Sequence, residues 1–395
     1  MNMERIYLDY AATTPLDNRV AKTMRDFELE FYGNPSSTHR EGQAARARID
    51  TAREAVAKFI NAKTQEVIFT SGATEANNLA IQGTVSHYIK EFQMKPHVIT
   101  TMLEHQSVYN TVKELSKQGI IDATFISPSP DGLINPDEII KSITANTVLV
   151  SVIFVSNEIG SVLPVREIGR KLDETNKRQK YQIMYHIDAV QAVKYQNCNV
   201  EKLNCSLLTM SAHKVHGPKG IGALYTKSRV KINNLLYGGS QEYGKRPGTQ
   251  NTAGIIGMAK ALELLGTLEN RQEAGKKISV LRNKLIEGIK KIDQADLNGP
   301  EGEMRSPDNV SFTFYGVDQD ALMTALDLAG IAASTGSACV SGSSEPSYVI
   351  ESLGKIGSKP AATVRFTLGK STKNSDIVYT LKALLKIIPQ LRRTV

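Results

Sequence analysis

The chain has 395 residues, 41% of them hydrophobic and 22% charged, with a formal net charge of +8. That length suits two domains or one large one, and the composition excludes wholesale disorder and collagen-like or low-complexity chains. Three cysteines cannot form a disulfide framework, no secretory signal precedes Ile6, and the longest apolar run, Val148 to Val155, falls far short of the ~20 residues that span a bilayer. These features lead us to expect a cytoplasmic protein with no membrane partner. In chain order, a helix is predicted over Arg40 to Ile60 and a short strand over Val67 to Phe69. Thr70-Ser71-Gly72 then turns into a helix over Glu75 to Lys90. Strands at Val98 to Thr100, Thr124 to Ile126, Val148 to Val155, Ile183 to Ile187 and Leu207 to Met210 alternate with helices at Val108 to Lys117, Pro136 to Ser142 and Val165 to Asn176. The six Lys/Arg between Arg166 and Lys180 read as a solvated helix face. After a Gly-rich loop, Gly238 to Thr249, one long helix is expected from Thr252 to about Lys291. The order then becomes mixed: strand Asn309 to Phe314, helix Gln319 to Ala329, strand Thr363 to Thr367, and a last helix from Asp376.

Strands separated by helices imply βαβ units. The expected fold class is therefore α/β: a large domain with a mainly parallel central sheet flanked by helices, plus a smaller α+β domain. The boundaries read from the pattern are 16–260 for the large domain, and 1–15 with 261–395 for the small one. In such a sheet a ligand binds beyond the carboxyl ends of the strands. Three motifs lie there. Thr70-Ser71-Gly72-Ala73-Thr74-Glu75 joins strand to helix through small residues, so its amides are free to hold an anion. Asp188, in His186-Ile187-Asp188-Ala189-Val190-Gln191, follows a strand directly. Lys214 follows another, with Ser211 and His213 before it and the Gly217-Pro218-Lys219-Gly220 turn after it. Taken singly, these are a helix cap, a second cap and a surface lysine. Together they are a phosphate cup, a carboxylate for a ring nitrogen and an imine-forming lysine. Those are the parts that hold pyridoxal 5'-phosphate.

With these motifs the chain resembles the cysteine desulfurases, within the class V aminotransferase-like, fold-type I pyridoxal-phosphate enzymes. Further islands carry the resemblance: Tyr7 to Pro15, Gly33 to Ser37, Glu104-His105, Asn157-Glu158-Ile159-Gly160, Arg246 to Thr249, Ser337-Ala338-Cys339 and Val364-Arg365-Phe366. The resemblance implies that Lys214 bonds the cofactor, Asp188 pairs with its ring nitrogen and Gln191 with its ring hydroxyl. Ala73, Thr74, Ser211 and His213 would bind its phosphate, with Thr249 reaching in from a second subunit of a homodimer. His105 would stack on the ring and shuttle protons, while Asn157, which would also contact the cofactor, and Arg365 would hold the substrate, L-cysteine. Cys339, in the nearly all small and polar run Ser334 to Ser344, would take the substrate's sulfur as a persulfide while L-alanine leaves. The sulfur then passes to an acceptor protein, an iron–sulfur scaffold or a tRNA-thiolation enzyme. The chain stops at Arg392-Arg393-Thr394-Val395, where members serving iron–sulfur scaffolds often continue, so the choice of acceptor stays open. Cys198 and Cys205 lack the paired spacing of a zinc site and read as structural, so no metal is expected. A selenocysteine lyase or an aminotransferase on the same fold is the alternative reading, though transamination needs no mobile thiol. A basic nucleic-acid-binding protein would need aromatics interleaved with Lys/Arg. Trp is absent and aromatics are 6%, so no direct nucleic-acid partner is expected.

Overall fold

In the computed structural model, which describes residues 5–336, 347–354 and 361–393, the apolar runs between residues 67 and 226 become the strands of one sheet. In chain order the strands are β1 (Ile6–Tyr7), β2 (Val67–Thr70), β3 (His97–Thr101), β4 (Asp122–Ile126), β5 (Thr147–Ile153) and β6 (Met184–Asp188). They continue with β7 (Leu207–Ser211), β8 (Gly222–Thr226), β9 (Ala295–Leu297), β10 (Asn309–Tyr315), β11 (Ile331–Ala332) and β12 (Ala361–Thr367). The seven-stranded sheet runs β2-β8-β7-β6-β5-β3-β4. β8 is antiparallel to both its neighbours, and every other pairing in the sheet is parallel. The mainly parallel sheet and the small α+β unit expected from the sequence are both present.

Pleating decides which side each strand residue faces. Ile68, Val98, Leu149 and Leu207 pack with Leu79, Val108 and Val112 of the helices Ala73–Phe92 and Gln106–Lys117. Their neighbours Phe69, Ile99, Val150 and Leu208 join the core on the opposite side, with Ile168 and Leu172 of the helix Val165–Asn176. All seven residues of β5 are buried, as a central strand covered on both faces requires. A smaller sheet, β12-β10-β9, is antiparallel throughout and packs Phe312, Phe314, Val364 and Phe366 against Leu285 and Leu384 of two long helices.

Besides several elements of two to five residues, the structure departs from the sequence pattern in a helix, a strand and a helix break. The helix Asn18–Glu30 and the strand β8 have no counterpart in the predicted elements. β8 opens on Gly222, where a Cβ would meet the Gly72 carbonyl carbon at 2.7 Å. The glycine that makes β8 read as turn is what lets it press against the Ser71-Gly72 bend. The long helix expected from Thr252 is two, Thr252–Leu265 and Leu268–Ile289. They break at Gly266 (φ 74°), after which Thr267 and Asn270 form a capping box. We propose the division into 16–260 and 1–15 with 261–395. In its support, β1 pairs with β11 and Leu8 packs in the second core, although the nearest break in the chain is Gly266.

The loop between β8 and the helix Thr252–Leu265 is pinned from inside. Glu242 is buried and pairs with Arg53 at 2.5 and 2.7 Å, and it also accepts from the Phe69 amide at 2.9 Å. Removing one partner of such a buried pair costs about 3–5 kcal/mol. The pair therefore holds the Gly-rich loop in register with β2.

Candidate active site

The carboxyl ends of β2, β6 and β7 open into one cavity of about 580 Å³, lined by Ala73, Thr74, His105, Asn157, Asp188, Gln191, Ser211, His213, Lys214 and Arg365 among others. Thr249 does not line this cavity. Cys339 lies outside the described residues.

The Ala73–Phe92 helix starts on Gly72, which has no side chain to cap it. Its first-turn amides are left for an anion, at the positive end of a 20-residue helix. Thr74, Ser211 and His213 border the same space. Burial, reinforced by Lys214, Lys219 and His105, pushes His213 down to about 4, so its ring is neutral at neutral pH. Glu75 ties the mouth of the cup to the Gly-rich loop, accepting from Arg246 Nε at 2.8 Å and from the Ser71 amide at 2.8 Å.

Asp188 ends β6 and is buried. Its Oδ1 accepts from the Val190 amide at 3.0 Å and its Oδ2 from Asn77 Nδ2 at 2.8 Å. Lys214 lies just past β7, and its Nζ donates to the carbonyls of Ala11 and Ala12 at 2.6 and 2.7 Å. Gln191 Nε2 donates to the same Ala11 carbonyl at 3.0 Å. The segment after β1 is thus part of the site. It is stitched to the lysine strand through Thr14, whose amide and hydroxyl both donate to His213 O, at 3.0 and 2.9 Å.

His105 caps the helix Gln106–Lys117, its Nδ1 accepting from the Ser107 amide at 3.1 Å. Burial lowers its pKa; Asp188 opposes the shift, and Lys214 and Arg365 add to it. The preceding residue, Glu104, is buried with one oxygen bonded to Thr101 Oγ1 (2.7 Å) and the Ile153 amide (2.9 Å) and the other without a partner. Burial, with some repulsion from Asp188, pushes this carboxyl up to about 8, so it is mostly protonated at neutral pH.

Arg365, on β12, is 1% exposed. Its Nη2 donates to Asp9 Oδ1 at 3.1 Å and its Nη1 to the Asn157 carbonyl at 3.0 Å, while the buried Nε–H has no partner. Glu158, beside Asn157, is a buried carboxyl whose pKa burial raises, and it accepts from Ser347 Oγ at 2.5 Å. The sequence reading missed Asn77, Ser107, Asp9, Glu158 and the carbonyls of Ala11 and Ala12. All but Asn77 and Ser107 lie inside islands that carried the resemblance. Among the described residues no cluster of His, Cys, Asp and Glu could hold a metal ion, and no helix is long and apolar enough to cross a membrane.

The family model for aminotransferase class-V matches residues 6–379. Cysteine desulfurase IscS of Clostridium botulinum is 43% identical over 391 residues, 98% of this chain and 96% of its own. Its namesake in Dictyoglomus turgidum is 42% identical over 388 residues, 98% of this chain and 95% of its own. A solved NifS-like protein superposes with a TM-score of 0.88 at 34% identity, covering 98% of this chain and all of that one. SspA in complex with cysteine superposes at 0.77 with 32% identity, covering 92% of this chain and 98% of its own.

Proposed function

This chain belongs to the aminotransferase class-V family and, within it, to the cysteine desulfurases, and from that premise we propose how its residues carry the reaction. L-Cysteine and the thiol of Cys339 become L-alanine and a Cys339 persulfide: the substrate C–S bond breaks, an S–S bond forms, and no outside oxidant is needed. The observation that carries the proposal is the meeting of Lys214, Asp188 and an uncapped helix N-terminus, from three strand ends, in one cavity.

That donor set fits pyridoxal phosphate. Ala73, Thr74, Ser211 and His213 would hold its phosphate, Asp188 its ring nitrogen, Gln191 its ring hydroxyl and Lys214 its aldehyde carbon, with His105 over the ring. When bound, the cofactor supplies an electron sink that acidifies the substrate's Cα–H and weakens its C–S bond. Asn157 and Arg365 orient the substrate. The unpaired Nε–H of Arg365 is a buried donor that a carboxylate satisfies. Lys214 Nζ moves the proton from Cα. Cys198 and Cys205 are buried, and burial pushes the Cys198 thiol up to about 12 and raises Cys205 as well, so both stay protonated and inert. That leaves Cys339 as the sulfur acceptor. From it the sulfur passes to an acceptor protein in the cytoplasm, an iron–sulfur scaffold or a tRNA-thiolation enzyme. The direct test is alanine release: the cofactor-loaded chain should release alanine from L-cysteine in a thiol-dependent reaction, and no release would overturn the reading.

Thr249 lies away from its own chain's cavity, so we propose that it completes the phosphate site of a second copy. Each site of a homodimer then needs Lys214 from one chain and Thr249 from the other. Lys214→Ala and Thr249→Ala proteins, mixed and allowed to exchange subunits, should show more activity than the mean of the parents. With random exchange, about a quarter of the sites regain both residues. Activity at the mean of the parents would argue against shared sites.

A further inference from the structure

Two buried side chains outside the islands that carry the resemblance link Asp188 and His105, both of which line the cavity. Asn77 Nδ2 lies 2.8 Å from Asp188 Oδ2 and 2.8 Å from Ser107 Oγ, and Ser107 Oγ lies 2.8 Å from His105 Nδ1. Asn77 is 0% exposed and Ser107 is buried, so water does not compete for these bonds.

The direction of each bond follows from what each atom can do. An ionised Asp188 only accepts, so Asn77 presents its amide nitrogen and gives one hydrogen to Asp188 and the other to Ser107 Oγ. With that side of Ser107 Oγ filled, its own O–H points to His105 Nδ1. The Ser107 backbone N–H reaches the same nitrogen at 3.1 Å. Two donors on one ring nitrogen leave no place there for a proton.

We propose that Asn77 and Ser107 are positioning residues that lock His105 as a neutral imidazole with its proton on Nε2. The ring then presents an N–H to the cavity and acts as a hydrogen-bond donor. In this state Nε2 is a donor, and the Cα proton is taken by Lys214 Nζ. The surroundings agree: burial, the positive end of the helix that His105 caps, and the Lys214 and Arg365 cations all disfavour imidazolium, against Asp188 alone. A neutral, helix-capped histidine that polarises rather than shuttles is an established catalytic device.

The consequence for catalysis rests on the desulfurase reading, but the tautomer does not, because it is read without substrate. The chain has seven histidines, and the signal of His105 is the one lost in His105→Gln protein. Long-range proton–nitrogen NMR of the ¹⁵N-histidine-labelled chain, with and without pyridoxal phosphate at neutral pH, should show a bare Nδ1 and a protonated Nε2. A protonated Nδ1 would overturn the proposal, whatever the alanine assay gives. Ser107→Asp replaces the hydroxyl donor by a carboxylate, a charged acceptor that outweighs the backbone N–H left in place, so the Nδ1 signal should become that of a protonated nitrogen. kcat should then fall about tenfold or more while KM for cysteine changes less than about threefold. Ser107→Thr keeps the hydroxyl and should restore both. An unchanged tautomer and kcat in Ser107→Asp would also overturn it.

Discussion

Cys339→Ser protein should bind pyridoxal phosphate and respond spectrally to L-cysteine, yet release alanine at least about a hundredfold more slowly than the parent. A serine hydroxyl keeps the shape of the side chain but does not attack sulfur. On the proposed assignment, binding and orientation belong to groups the substitution leaves alone: the phosphate cup, Asp188, Asn157 and Arg365, all of which line the cavity. The loss should therefore fall on kcat and leave KM nearly unmoved. Mass spectrometry of the cysteine-treated parent should find one added sulfur on Cys339. Cys198→Ser and Cys205→Ser should keep parental rates, because both thiols are buried and held protonated. An added sulfur on either of those, or parental alanine release by Cys339→Ser, would sink the assignment and favour a lyase or aminotransferase.

Lys214→Ala should lose at least about a thousandfold in kcat, the upper part of the range for removing a group that moves the reacting proton. Borohydride reduction should then no longer fix the cofactor to the chain, whereas in the parent it should label the peptide containing Lys214. Label on Lys219, which shares that segment but is exposed, would overturn the assignment. The substitution also removes two hydrogen bonds to the carbonyls of Ala11 and Ala12. Gln191 still holds Ala11, so the fold should survive and a thermal melt should stay near that of the parent.

Much of this site could be read from sequence because a parallel sheet collects its strand ends on one side. Thr74, Asp188 and Lys214 are far apart in the chain, but each lies at or just past the end of a strand, and strand adjacency brings them to one cavity. Asn77 and Ser107 escaped because their value depends on facing each other across two helices, which no spacing in the sequence reveals. β8 escaped because a strand that starts on glycine has the composition of a turn. β1 and β11, two residues each, are too short to show a period and are defined by pairing with each other. The joined helix was a misreading of a signal that was present: Gly266-Thr267 followed by Asn270 is a stop and a new start.

The stitching of residues 6–14 has a consequence for how the protein comes into being. Ile6 pairs with Ile331, Leu8 accepts from the Thr367 amide, and the carbonyls of Ala11 and Ala12 hold Lys214. This segment is thus among the last to find its place although it is made before the sheet, since its partners include residues made nearly 360 positions later. The seven-stranded sheet can form once residue 226 has emerged. The floor beneath Lys214, by contrast, is not fixed until β12 has been made. A nascent chain stalled before residue 361 would lack the β12 contacts of that floor, and should take up pyridoxal phosphate less well than a chain in which β12 has been made.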